Sequence, residues 1–287
     1  MTVRMGIPNK GRLNERAVEL LVRSGVDLGE DWGRRLYVTA EDQDLEVLFL
    51  RAQDIPAFIN AGAIDFGITG EDMVAESGHP LRRVAGLGFG ICRLSIAAPE
   101  ASGVVDAQSI PDGVRIATSF PNLTAAFVGS LGKEATIVGV SGAAEVMPYL
   151  GVADMIADLV ATGSTLRTNR MREVCRIMDS QAAVFARADL DAPTESRMAE
   201  VVDAILSVIA AEGRKYLMAN VPRDRLDEIR GILPGIGGAT VMEVIGDPGI
   251  VAVQAVVAAG DMFAAVNGLR RLGATGILTV PMDRLVE

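Results

Sequence analysis

One histidine in 287 residues excludes most of the chemistry that proteins build on imidazole. That residue, His79, falls in Ser77-Gly78-His79-Pro80, a turn signature. Zinc sites built on His and Cys, Ser-His-Asp triads and Cys-His dyads are therefore set aside. Cysteine is equally scarce: Cys92 and Cys175 have no CxxC spacing, which suits small core residues in a reducing compartment. The chain has 27 basic residues against 37 acidic ones, a net charge of −10, so a nucleic-acid backbone is not an expected partner. A nucleotide is still admissible, because a few arginines, backbone N–H groups and a metal ion neutralise it locally. No run approaches the roughly 20 apolar residues that span a bilayer, and the opening Met-Thr-Val-Arg-Met-Gly carries no secretory core. The expectation is a cytoplasmic protein with no membrane partner. Its chemistry must run on carboxylates, Lys, Arg, hydroxyls, backbone dipoles or a hard metal ion.

What is present is most informative between Asp154 and Thr165. An apolar, strand-like run carries Asp154 and Asp158 and then breaks into Ala161-Thr162-Gly163-Ser164-Thr165. Glycine opens backbone space, and the hydroxyls on either side join main-chain N–H groups in cradling an anion. Phosphate is the natural guest. The acids upstream suit ribose hydroxyls or a hydrated Mg²⁺ shared with a diphosphate. An ordinary strand-to-helix turn with a Ser or Thr N-cap would have the same composition.

The first half alternates short apolar runs with helical periods, as α/β sheet proteins do. Val3–Ile7, Leu45–Leu50 and Ile64–Ile68 read as strands whose C-terminal ends deliver Lys10, Arg51 and Gly70 to one edge, where open α/β sheets bind ligands. Asp54-Ile55-Pro56 reads as a helix start with an acidic N-cap. A second unit begins near Arg93 and includes strands at Arg115–Thr118, Thr136–Val140 and Met155–Leu159, with Val174–Met178 and Ala182–Ala186 leading back to the first. The last 75 or so residues follow the order βαββαβ, which is ferredoxin-like. The expected domains are 1–90 with 180–211, then 91–179 with the phosphate loop, and 212–287.

Asp158-Leu-Val-Ala-Thr-Gly-Ser-Thr-Leu166 closely resembles the phosphoribosyl-diphosphate loop of the ATP phosphoribosyltransferase family. Ile7-Pro-Asn-Lys-Gly-Arg-Leu13, Asp65-Phe-Gly-Ile-Thr-Gly70, Leu87-Gly-Phe-Gly90, Arg115-Ile-Ala-Thr-Ser119 with Pro121-Asn-Leu123, and Gly151-Val-Ala-Asp154 agree in the same order. Gly273-Ala-Thr-Gly-Ile-Leu278 is similar to the regulatory domain of the long form, so the likeness spans essentially the whole chain.

This resemblance implies a two-lobed catalytic region like a type II periplasmic binding protein, plus a ferredoxin-like regulatory domain. It implies ATP and 5-phosphoribosyl 1-diphosphate as substrates, Mg²⁺ as cofactor, histidine as feedback inhibitor, and homo-oligomers from dimer to hexamer. Asp154 and Asp158 are expected on the ribose side, and Ala161, Thr162, Gly163, Ser164 and Thr165 around the 5′-phosphate. Lys10, Gly11, Arg12, Arg51 and Gly70 are expected to border ATP. Asp154, Lys10 and Arg12 are assigned the catalytic roles, and loss of the Asp154 charge is expected to slow turnover by about tenfold or more. Histidine is expected near Asn220, Thr240, Gly273 and Ala274. An acid stands at the Asn220 position in some relatives, and a neutral amide there weakens any salt bridge to the effector's ammonium. Two other functions fit the same outline: a non-catalytic solute sensor with a two-lobed cleft, and a phosphoribosyltransferase acting on another base.

Overall fold

The computed structural model describes residues 2–29, 32–40, 43–233 and 238–286. Contacts divide the chain into two compact units, Met1–Val22 with Val26–Val202, and Arg23–Gly25 with Asp203–Glu287.

The first unit contains two sheets. β1 (Val3–Pro8) is buried at all but one position, the burial of a parallel strand covered on both faces. α1 (Gly11–Arg23) follows, burying Asn14, Ala17, Val18, Leu20 and Leu21 along one stripe. Next come β2 (Tyr37–Ala40), β3 (Leu45–Leu50), α2 (Ile55–Asn60), β4 (Phe66–Gly70), α3 (Glu71–Ser77) and β5 (Arg82–Gly86). The chain then enters a second sheet through β6 (Cys92–Pro99), β7 (Val114–Thr118), α4 (Pro121–Ser130), β8 (Ala135–Gly139), β9 (Met155–Val160), α5 (Ser164–Thr168) and β10 (Met171–Ser180). It returns to the first as β11 (Ala182–Ala186), which is buried throughout, and continues into α6 (Ala192–Ala211).

The strand orders are β2-β3-β1-β4-β11-β5 and β10-β6-β9-β7-β8. In the first sheet β1 runs parallel to β3 and β4, while β11 is antiparallel to its neighbours β4 and β5. In the second, β7 is parallel to β8 and β9, and β6 antiparallel to β9 and β10. Two α/β sheets joined by two crossovers give the two-lobed, periplasmic-binding-protein-like arrangement. Apolar residues of the second sheet point both ways: Ile96, Ile116 and Met155 into one cluster, Ala97, Ala117 and Ile156 into another.

The second unit holds β12 (Arg214–Pro222), α7 (Leu226–Ile232), β13 (Thr240–Glu243), β14 (Ile250–Ala258), α8 (Met262–Arg271) and β15 (Thr275–Pro281), in the antiparallel order β13-β14-β12-β15. That is the ferredoxin-like pattern, with its first strand central. Leu217, Val221, Val253 and Leu269 form its core.

Three local expectations change. β2 and β5 go unseen in the sequence because they are short edge strands with polar or exposed positions. The first helix of the expected βαββαβ order is short, since a 3₁₀ turn at Arg223–Arg225 precedes α7. Asp54 stands at the N-cap of α2 but makes no capping bond with its side chain. Among the described residues, no helix is long and apolar enough to cross a membrane.

Candidate active site

β7, β8 and β9 are parallel, so the loops after Thr118, Gly139 and Val160 lie at one edge of the second sheet, with β9 running three residues beyond the level of Thr118. A cavity of about 380 Å³ opens there, lined by Asp158, Ala161, Thr162, Gly163, Ser164, Thr165, Ala143, Glu145 and Arg12, among others. Gly163 takes φ +73°, a left-handed backbone that a side chain resists. It turns the chain so that Thr162 Oγ1 and Ser164 Oγ lie 3.0 Å apart. Arg12 reaches the cavity from the start of α1, where Gly11 at φ +77° lets the helix begin directly after the turn. The buried Asn14 amide donates to Pro8 O at 2.7 Å and fixes that turn.

Asp158 is half-buried near the end of β9, and its Oδ1 accepts the Leu159 N–H at 2.7 Å. Burial pushes its carboxyl above the ordinary range, and the neighbouring Glu145 charge adds to that rise. Glu145 was not picked out in the sequence. The available signal was an acid closely following the Ser141-Gly142 turn after a strand, on the edge where ligands gather. Nearby Ala143 has φ +53°, an uncommon conformation for a residue with a Cβ.

Asp154 does not line this cavity. It precedes β9, while the phosphate loop follows it, so a six-residue strand of roughly 20 Å separates them. There Arg115 Nη2 donates to Asp154 Oδ1 at 2.7 Å and Arg115 Nε to Oδ2 at 3.1 Å. The Arg115 backbone N–H also donates to Oδ2, at 3.0 Å. These bonds hold the Asp154 carboxyl below its ordinary range, led by the guanidinium. The strand's length, rather than sequence proximity, decides which acid reaches the cavity.

The first sheet gathers the other expected residues on one edge, because β1, β3 and β4 are parallel. Asn9 N–H donates to Leu50 O at 2.7 Å and Thr69 Oγ1 to Ala52 O at 2.8 Å, tying together the segments that carry Lys10, Arg51 and Gly70. Of this group, Arg12 alone lines the 380 Å³ cavity. At Gly70, a Cβ would stand 2.1 Å from Asp72 Oδ1. Asp72 is 3 % exposed, and Ser180 Oγ donates to its Oδ1 at 2.6 Å. Burial raises the Asp72 carboxyl. Cys92 and Cys175 are half-buried free thiols, both pushed up by burial.

In the second unit, Asn220 pairs with Thr275, immediately after Gly273 and Ala274, and Thr240 pairs with Gln254 on the other side of the sheet's centre. Asn220, Thr240 and Gln254 share the sheet face opposite buried Leu217, Val221 and Val253. A larger cavity, about 580 Å³, lies along α8 and contains none of the expected residues.

Residues 51–207 match the family profile described as ATP phosphoribosyltransferase, and residues 211–284 that described as HisG, C-terminal domain. An ATP phosphoribosyltransferase of Halorubrum lacusprofundi is 41% identical over 298 aligned positions, spanning 99% of this chain and 100% of the relative. One from Gemmatimonas aurantiaca is 43% identical over 291 positions, with 99% of each covered. A chain of the ATP phosphoribosyl transferase (HisG:HisZ) complex from Thermotoga maritima superposes with a TM-score of 0.66 at 26% identity, covering 74% of this chain and 100% of that one.

Proposed function

This chain belongs to the ATP phosphoribosyltransferase family, and we propose that its 380 Å³ cavity seats the phosphoribosyl diphosphate substrate. The activity is transfer of the phosphoribosyl group to N1 of the adenine in ATP, the first step of histidine biosynthesis. One observation carries the assignment of the seat: the Thr162–Thr165 loop, two carboxylates and Arg12 from the other lobe line a single cavity.

Ala161, Thr162, Gly163, Ser164 and Thr165 would hold the 5′-phosphate through hydroxyls and main-chain N–H groups. Asp158 and Glu145 would face the ribose, where they steady positive charge at C1 as its bond to diphosphate lengthens. Glu145 takes the role that sequence reasoning gave to Asp154. The adenine N1 lone pair attacks C1 and the bonding electrons leave with diphosphate, so no histidine base is required. Arg12, with Lys10, Gly11, Arg51 and Gly70 along the adjoining edge, would border ATP and the departing charge. Holding two anions in line across the lobes contributes the remainder.

Among the described residues no group of three or more His, Cys, Asp or Glu side chains could hold a metal alone. The pair Asp158 and Glu145 nonetheless fits Mg²⁺, a hard ion that keeps waters and shares substrate phosphates. When bound it would neutralise the leaving diphosphate. Residues 1–90 with 180–211, and 91–179, would form the two catalytic lobes. Residues 212–287 would be a regulatory domain binding histidine near Asn220, Thr240, Gly273 and Ala274, in a cytoplasmic homo-oligomer assembled from dimers to hexamers.

Mixing the protein with Mg²⁺, ATP and phosphoribosyl diphosphate should raise the near-ultraviolet absorbance of N1-substituted adenine. Ligand binding without that rise would leave a sensor rather than an enzyme.

A further inference from the structure

Behind the phosphate loop lie two guanidinium groups that do not line the cavity. Arg93 sits on β6 directly beside Val160, the last residue of β9. Its Nε and Nη2 grip the two oxygens of Glu173 at 2.5 Å each, and Ser95 Oγ donates to Glu173 Oε1 at 2.8 Å. Ser95 is fully buried, so the pair is anchored in the sheet. The remaining nitrogen, Nη1, donates to Ala161 O at 3.3 Å. One residue on, Arg167 Nη1 donates to Thr162 O at 3.1 Å.

Two consecutive carbonyls of the loop are thus taken by arginines outside the cavity. In a trans peptide the N–H points opposite to the carbonyl it shares a plane with, and the described chain has no cis bonds. Holding Ala161 O therefore orients Thr162 N–H, and holding Thr162 O orients Gly163 N–H, each away from its arginine. Among the described residues neither N–H has a protein acceptor.

We propose that Arg93, braced by Glu173, and Arg167 are positioning residues that aim the N–H groups of Thr162 and Gly163 at the 5′-phosphate of the substrate. This rests on the assignment of the loop as the phosphate seat. Both arginines act through loop carbonyls, and neither touches the sugar. The Arg167 charge also lowers the cost of gathering phosphate oxygens near the loop, whereas that of Arg93 is balanced by Glu173.

Arg93→Lys keeps a cation but loses the fork that serves Glu173 and Ala161 together. The full-length variant should bind ribose 5-phosphate about tenfold more weakly, the ordinary size of one charge-assisted contact. Inorganic diphosphate, which lacks the 5′ end, should bind within about twofold of the parent. In turnover, KM for phosphoribosyl diphosphate should rise while KM for ATP stays level. Arg167→Lys, at an exposed position, should act in the same direction and decides the matter if Arg93→Lys does not fold.

Equal weakening of both ligands, or no weakening of ribose 5-phosphate, overturns the proposal. A parallel Ser164→Ala variant separates the two levels. If it weakens ribose 5-phosphate while both arginine variants are silent, only the positioning roles fall. If it is silent as well, the loop is not the seat and both fall.

Discussion

The carboxylate of Glu76, near the end of α3, accepts the backbone N–H groups of Asn122 at 2.9 Å and Leu123 at 3.0 Å, at the start of α4 in the other lobe. The Asn122 amide returns a bond to Glu76 O at 3.0 Å. Phe120, which occupies the N-cap of α4, has no side-chain oxygen to offer, so the cap comes from across the lobes. Glu76→Ala should therefore lower the stability of the first unit by about 1–2 kcal/mol, the usual worth of a helix cap. Urea unfolding would measure it, and an unchanged midpoint would show that the cap contributes nothing in solution.

Asp158→Asn should reduce turnover by at least about tenfold yet stabilise the fold at neutral pH. A carboxyl whose folded pKa is raised binds its proton more tightly folded than unfolded. Its contribution to stability therefore declines as pH climbs from the unfolded value through the folded one. Removing the ionisable group removes that decline. Melting at neutral and at acidic pH should show the gain at the former and its disappearance at the latter.

Glu145→Gln removes a like charge near Asp158, so the Asp158 pKa should fall toward its ordinary value. The acid limb of the rate profile should move to lower pH even where the maximal rate drops. A stationary limb would show that Glu145 and Asp158 do not sense each other.

Asp154→Asn should leave turnover near that of the parent, unlike the tenfold loss the sequence suggests. Asp154 and Arg115 side chains are 48% and 44% exposed, so solvent screening leaves the pair little weight in stability. With the folded Asp154 pKa depressed, that small contribution is present above the unfolded pKa and fades as pH drops through the folded one. Steady-state kinetics with a melting curve tests both halves.

Gly70→Ala should destabilise by about 2–3 kcal/mol, because a Cβ meeting the buried Asp72 carboxylate forces it from Ser180. Adding Asp72→Ala vacates the space, so the two changes together should cost less than their sum. Strict additivity in urea melts would argue against the contact.

The sequence alone determined the order of most elements, the βαββαβ unit, and the loop from Ala161 to Thr165, because local periodicity, turn residues and a glycine needing positive φ are properties of short segments. Lys10, Arg51 and Gly70 were also legible as one edge, since strand C-termini in parallel order follow from the pattern of runs. Tertiary structure decided what depends on partners distant in the chain. Asp154 and Asp158 look equivalent in the sequence, four residues apart, yet Arg115 claims the first at one end of β9 and the cavity claims the second near the other. Glu145, Arg93 and Glu76 carry no motif, and only the folded chain brings them to Asp158, Ala161 and α4. Short-range patterning sets which segments form, whereas burial and long-range hydrogen bonding set which side chains meet.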